Sequence, residues 1–166
     1  MRIFGLAGWS GSGKTTLITA LIPEFASRGF TVSTVKHAHH FVDIDQPGKD
    51  SWRHRQAGAH EVLVASAYRW ALMSELRGAP EPSLDELIEQ MSPVDLVLIE
   101  GFKWHAHPKI EVHRTALGKP LLHPGDPWVV AIAADQMQPD FSVPFLPLSD
   151  PGAIAGFVLR HEGMVR

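Results

Sequence analysis

Ile3-Phe4-Gly5-Leu6-Ala7-Gly8-Trp9-Ser10-Gly11-Ser12-Gly13-Lys14-Thr15-Thr16 decides the fold. From Gly8 to Thr15 it has the form G-x-x-x-x-G-K-[ST], a phosphate-binding loop. A short apolar run precedes it and reads as a buried parallel strand. Thr16-Leu17-Ile18-Thr19-Ala20-Leu21-Ile22 follows and reads as a helix opening. Glycines without a Cβ let the backbone come close to an anion, and its N–H groups form a nest for phosphate oxygens. The positive end of the helix adds to that field. Gly11, Ser12, Gly13, Lys14, Thr15 and Thr16 are therefore the expected nucleotide contacts. Lys14 is expected on the β- and γ-phosphates and the Thr15 hydroxyl on Mg²⁺. The loop specifies a nucleotide but neither the base nor the reaction.

The bulk properties narrow the class. The 166 residues suggest one domain, residues 1–166, and 45% hydrophobic content is ordinary for a globular chain. A net charge of −3 gives no electrostatic footprint for general nucleic-acid binding. Without cysteine there is no disulfide frame, thiolate zinc site or cysteine nucleophile. Met1-Arg2 leads straight into the first strand, so no signal peptide is expected. Apolar runs such as residues 129–134 are too short to span a bilayer. The expectation is a soluble cytoplasmic protein with no membrane association.

Outward from the loop, a helix is expected over Lys14–Ser27, closed by Gly29, with Pro23 kinking it or marking a weak turn. Thr31-Val32-Ser33-Thr34-Val35 is a strand and completes a βαβ unit. The segment from Lys36 to Ser51 then leaves the ligand side of the sheet. A short helix from Asp50 or Ser51, strands over 59–65 and 68–74, and a capping box at Ser83-Leu84-Asp85-Glu86 follow. Tyr68, Trp70 and Leu72 share one strand face, as core packing or as a dimer surface. Asp95-Leu96-Val97-Leu98-Ile99-Glu100-Gly101 is a buried strand. Its terminal Glu100 is placed for the magnesium shell or for positioning water; Asp95 is a strand-start residue. Strands over 109–114 and Val129–Ala134, and a last helix over Pro151–His161, complete the reading. Residues 115–127 show no clear structure, and the tail after Asp135 is irregular. The fold class is α/β, a P-loop NTPase-type three-layer fold with a mostly parallel central sheet plus antiparallel strands.

Other side chains have competing readings. His37, His39 and His40 can share a transition metal, or, with Asp45, contact phosphates and magnesium-bound water; the phosphate side is favoured. Lys49, and Arg53 or Arg55, can stabilise phosphate charge or decorate a helix surface. His105 and His107 are read as surface residues. The chain lacks asparagine, which excludes the N-K-x-D guanine signature. Asp135 can accept from a guanine N1 and N2, or serve as a turn aspartate.

The phosphate loop, Lys36-His37-x-His39-His40, Asp45-x-Pro47-Gly48-Lys49-Asp50-Ser51, Ala57-Gly58-Ala59 and Glu100-Gly101-Phe102-Lys103 together resemble the MobB family of molybdopterin-guanine dinucleotide biosynthesis adapter proteins. The resemblance covers the chain to about Asp135. It implies a homodimeric GTP-binding protein with at most slow GTPase activity. It also implies a partner, the MobA-type guanylyltransferase, and a link to molybdopterin or its guanine dinucleotide. On that basis Mg·GTP sits on the loop, with Mg²⁺ held by Thr15, Asp45 and Glu100, and catalysis rests on Lys14, Asp45 and Glu100. His37, Lys49, Arg53 and Asp135 complete the nucleotide site. Two alternatives stand beside this reading: a small-molecule kinase, and a GTPase metallochaperone using the His37-His40 loop.

Overall fold

The computed structural model describes residues 1–38, 43–138 and 141–164. The chain forms two compact units, one of Met1–His37 with Met91–Arg166 and one of Ala38–Gln90.

The first unit carries a six-stranded parallel sheet. Its strands are β1 (Arg2–Ala7), β2 (Val32–Lys36), β5 (Leu96–Glu100), β6 (Lys109–His113), β7 (Val129–Ala134) and β8 (Phe145–Pro147), in the order β2-β5-β1-β6-β7-β8. The central strands are apolar because both faces are covered. Phe4, Leu6, Leu98, Ile110, Val112, Ala131 and Ala133 form a continuous core with α1 (Lys14–Ser27) and α4 (Pro151–His161). Leu21 and Phe25 of α1 and Ile154 and Val158 of α4 supply its helical side. Asp150 caps α4 by accepting from the Ala153 amide at 2.8 Å. Asp95 and Thr31 tie β5 to β2: the Thr31 amide and hydroxyl donate to the Asp95 carboxylate at 2.8 and 2.7 Å.

The second unit contains α2 (Asp50–Gln56), the antiparallel pair β3 (Glu61–Ala65) and β4 (Trp70–Ser74), and α3 (Leu84–Glu89). The capping box at Ser83 and Glu86 is present in both directions. The expected architecture of a mostly parallel sheet with added antiparallel strands is therefore found.

Helix α1 continues through Pro23 to Ser27. Three local expectations change. Residues 115–127 contain two 3₁₀ turns, Thr115–Leu117 and His123–Gly125. The irregular tail contributes β8 to the sheet edge. Tyr68, Trp70 and Leu72 are not core residues of this chain: they are 93%, 64% and 44% exposed.

Candidate functional site

The loop between β1 and α1 lies at the carboxyl end of the parallel sheet, where open α/β sheets bind ligands. Its glycines are required by geometry. Gly8 (φ 145°) has no room for a side chain, because a Cβ would run into the Val112 carbonyl and lie 2.8 Å from Ser12 Oγ. Gly13 (φ 99°) precedes the first turn of α1 in the left-handed region. Within the loop, Ser12 is buried, and its hydroxyl has no hydrogen-bond partner among the described residues.

Lys14 folds back over this loop. Its Nζ donates to the Gly8 and Trp9 carbonyls at 2.9 and 3.0 Å. Burial lowers its pKa; Glu100 opposes that, and the charges of Lys103 and Lys36 add to it. At the first turn of α1 the Thr15 hydroxyl donates to Glu100 Oε1 at 2.7 Å. Lys36, at the end of β2, stands 3.6 Å from the same oxygen. A hydroxyl and a carboxylate converging on the rim of a phosphate loop are hard oxygen donors of the kind Mg²⁺ takes, with room for phosphate and water ligands. The donor set therefore fits magnesium.

The strand-to-loop turn after Glu100 is tightly built. The His37 amide donates to the Glu100 carbonyl at 2.8 Å. Gly101 (φ 98°) passes so close that a Cβ would lie 2.8 Å from His37 Cβ. Phe102 also takes a positive φ (45°), and its ring stacks on His37 at 4.5 Å.

On the other side of Gly13, two cavities of about 230 and 260 Å³ share Arg114, Leu148 and Ser149. The first runs along Thr16, Leu17 and Ala20; the second reaches Asp135. Asp135 follows β7, and its Oδ1 accepts from the Thr115 amide and hydroxyl at 3.3 and 3.4 Å. Chiefly through the Thr115 amide, these bonds hold its carboxyl below the usual range.

The structure thus gathers Gly11, Ser12, Gly13, Lys14, Thr15, Thr16, His37, Glu100 and Asp135 within the first unit. Asp45, Lys49 and Arg53 belong to the second. There Asp45 accepts from the Ser51 hydroxyl at 2.8 Å and from Arg55 Nε at 3.2 Å. Burial works against its charged form, but bonds from Ser51, the Gln46 amide and Arg55 hold its pKa below the usual value. Lys49 and Arg53 are exposed, the first at the N-cap of α2 and the second within it. His39 and His40 lie outside the described residues. Among the described residues, no group of three His, Asp or Glu side chains is gathered as a metal centre. No helix among them is long and apolar enough to cross a membrane.

His107 corrects the sequence reading. It is 4% exposed rather than a surface residue, and its Nε2 has no hydrogen-bond partner among the described residues. Lys109, Glu111 and His113 are also buried polar residues that sequence reasoning missed. The alternation of Lys109, Glu111 and His113 with Ile110 and Val112 resembled a half-solvated strand. In fact the loops cover that face: Glu111 accepts from the Leu122 and His123 amides at 2.8 and 2.9 Å.

A parallel sheet whose first strand delivers a glycine loop onto a helix, with Lys14, Thr15 and Glu100 at its rim, defines the phosphate-loop class of α/β proteins. Within that class the match is specific. The model of the family described as "Molybdopterin guanine dinucleotide synthesis protein B" matches residues 3–135, and the chain belongs to this MobB family. It is 47% identical over 136 residues to the molybdopterin-guanine dinucleotide biosynthesis adapter protein of Haemophilus influenzae, covering 80% of this chain and 74% of that one. To the Escherichia coli protein of the same name it is 41% identical over 161 residues, covering 95% and 91%. A crystal structure of molybdopterin-guanine biosynthesis protein B superposes with a TM-score of 0.76 at 28% identity, covering 96% of this chain and 99% of that one.

Proposed function

We propose that this chain is a GTP-binding adapter in the biosynthesis of molybdopterin guanine dinucleotide, acting beside a MobA-type guanylyltransferase. Family membership supports the adapter role. The observation that carries the nucleotide reading is the shared wall of Arg114, Leu148 and Ser149, which joins the phosphate loop to the cavity ending at Asp135. A nucleoside triphosphate placed with its phosphates on the loop has its base at that end. The Asp135 carboxylate, oriented by Thr115, then accepts from the N1 and N2 donors that guanine has and adenine lacks.

In this reading Lys14 exchanges the Gly8 and Trp9 carbonyls for the β- and γ-phosphates, a charge-assisted contact. Thr15 and Glu100 hold Mg²⁺, which when bound neutralises phosphate charge. Asp45 and Lys49 fall in the segment from His37 to Ser51, the candidate switch for the γ-phosphate, and Arg53 is a separate candidate for phosphate charge; within its own unit Asp45 is the ion-pair partner of Arg55. The product served is a guanine dinucleotide, so GTP is the natural currency of the site. Turnover is slow, since the sequence encodes neither an arginine finger nor a water-positioning glutamine in a diagnostic place. We assign the exposed face of β3 and β4, with Leu63, Trp70 and Leu72, to a homodimer interface, and the protein to the cytoplasm.

Calorimetry of GTP against ATP, with and without Mg²⁺, tests the reading. Expected are GTP selectivity of about a hundredfold, relaxed by Asp135→Asn, and loss of binding in Lys14→Ala. Equal or tighter ATP binding, or transfer of labelled γ-phosphate to an acceptor other than water, would overturn it in favour of a kinase.

A further inference from the structure

Trp9 lies within the phosphate loop, and three lysines converge on it, Lys119 Nζ the farthest at 5.9 Å from the ring centroid. Lys14 Nζ binds its backbone carbonyl at 3.0 Å, while Lys103 Nζ stands over its indole ring, 3.7 Å from the centroid. The ring is pinned in place: its Nε1–H donates to the Pro120 carbonyl at 2.7 Å.

The backbone of Lys103 is equally fixed. The buried Lys109 reaches across to donate to the Lys103 and His105 carbonyls at 3.0 and 2.7 Å and to Asp126 Oδ2 at 3.0 Å. Gly101 and Phe102, both at positive φ, set the direction in which the chain leaves β5. A braced backbone therefore delivers one long, cationic side chain to the phosphate loop. Its ammonium rests on an aromatic face, a contact weaker than a charge-assisted bond to phosphate. Burial chiefly holds its pKa below the ordinary lysine value, and its charge in turn disfavours that of Lys14. Two mutually repelling ammonium groups against one residue are stabilised when a polyanion arrives between them.

We propose that Lys103 is a second phosphate-binding lysine. It rests on Trp9 in the nucleotide-free site and moves to the terminal phosphate of a nucleoside triphosphate. This rests on the nucleotide reading above and deepens it. Lys14 spans the β- and γ-phosphates and so keeps a contact in the diphosphate, whereas Lys103 meets the γ-phosphate alone and distinguishes the two, so the loop at 102–108 senses the γ-phosphate.

The test is calorimetry with the non-hydrolysable analogue GMPPNP and with GDP, each with Mg²⁺, on wild type, Lys103→Ala and Lys103→Arg. Lys103→Ala is expected to lose about 10–100-fold in GMPPNP affinity with GDP unchanged within twofold, and Lys103→Arg to restore most of the loss. Tryptophan emission gives a second reading. The wild-type difference between the GMPPNP and GDP complexes should vanish in Trp9→Phe and in Lys103→Ala. An equal loss for both nucleotides, or no loss for GMPPNP, overturns the assignment of Lys103 and leaves GTP binding standing. Wild-type protein that binds neither nucleotide overturns the nucleotide reading and the lysine with it. Should Lys103→Ala fail to fold, Lys103→Gln gives the same comparison.

Discussion

Thr15 and Glu100, 85 residues apart in sequence, are joined by a 2.7 Å hydrogen bond from the Thr15 hydroxyl to Glu100 Oε1. This bond links the first turn of α1 to the end of β5 and sets side by side the two oxygen donors proposed to hold Mg²⁺. Removing either group should therefore damage the magnesium dependence of binding rather than binding itself. For Glu100→Gln and Thr15→Ala we expect nucleotide affinity in Mg²⁺ to fall about 10–100-fold. Affinity in the presence of a chelator should stay at the wild-type value. Titrations in magnesium and in EDTA check this; an equal loss in both would remove the pair from the metal site.

Gly101 is a second point at which one atom matters. Its φ is 98°, and an added Cβ would sit only 2.8 Å from that of His37, which leaves no place for a methyl group. Gly101→Ala should lower stability by about 2 kcal/mol, combining the left-handed penalty with displacement of His37. Urea unfolding measures the loss. The same variant should weaken triphosphate binding, because it redirects the chain that leads to Lys103.

Arg55 organises the second unit. It bridges Asp43 at 2.8 Å, Asp45 at 3.2 Å and Glu75 at 2.7 Å, and its pKa is raised first of all by the Glu75 bond. Arg55→Ala leaves three carboxylates facing one another. Amide exchange should then accelerate in residues 43–77 and stay unchanged in α1 and β1, which measures whether Arg55 acts within its own unit.

The exposed face of β3 and β4 makes a different prediction. Leu63 pairs with Leu72, and Ala65 with Trp70, so one face carries a contiguous apolar strip. A Trp70→Glu change puts charge into that strip and should convert the proposed dimer to monomer in sedimentation without altering GTP affinity. A wild-type monomer would dismiss the interface.

The phosphate loop, the sheet strands β1, β5, β6 and β7, and the capping box at Ser83 were legible because each depends on a local pattern. Glycine spacing, apolar runs and a serine three residues before a glutamate carry their own physics. Glu100 was placed by one further step, its position at a strand end. What sequence could not show depended on coverage by distant segments. Lys109 and Glu111 look like solvent-facing strand residues until the loops at 102–108 and 115–127 are folded over them. Trp70 and Tyr68 looked like core for the converse reason: their aromatic character is local, but their exposure depends on what packs against the hairpin. β8 was missed because three residues between prolines carry too little periodicity to announce a strand. The proximity of Lys103 to Trp9 joins residues 94 positions apart, and no local pattern encodes it.

His107 makes the pH prediction. It is wedged against Gly5, where a Cβ would collide with its Nε2, so the ring cannot retreat from the protein interior. Burial, then the neighbouring Lys109 and His105 charges, push its pKa down from 6.5 to about 4, with Asp126 opposing. The folded protein therefore keeps the ring neutral between pH 6.5 and 4, while the unfolded chain takes up a proton there. Since the unfolded state binds more protons across that window, stability falls as the pH is lowered through it, by about 1 kcal/mol per pH unit. Above about pH 7.5 both states are neutral and this contribution is flat. A His107→Gln variant has no such proton to gain. Its stability at about pH 7.5 should be lower than wild type because its amide brings new polar atoms into a buried site, but its decline from about pH 6.5 to about 4.5 should be shallower. Urea midpoints at half-unit steps give both slopes, and parallel curves would mean that the ring protonates without leaving the fold.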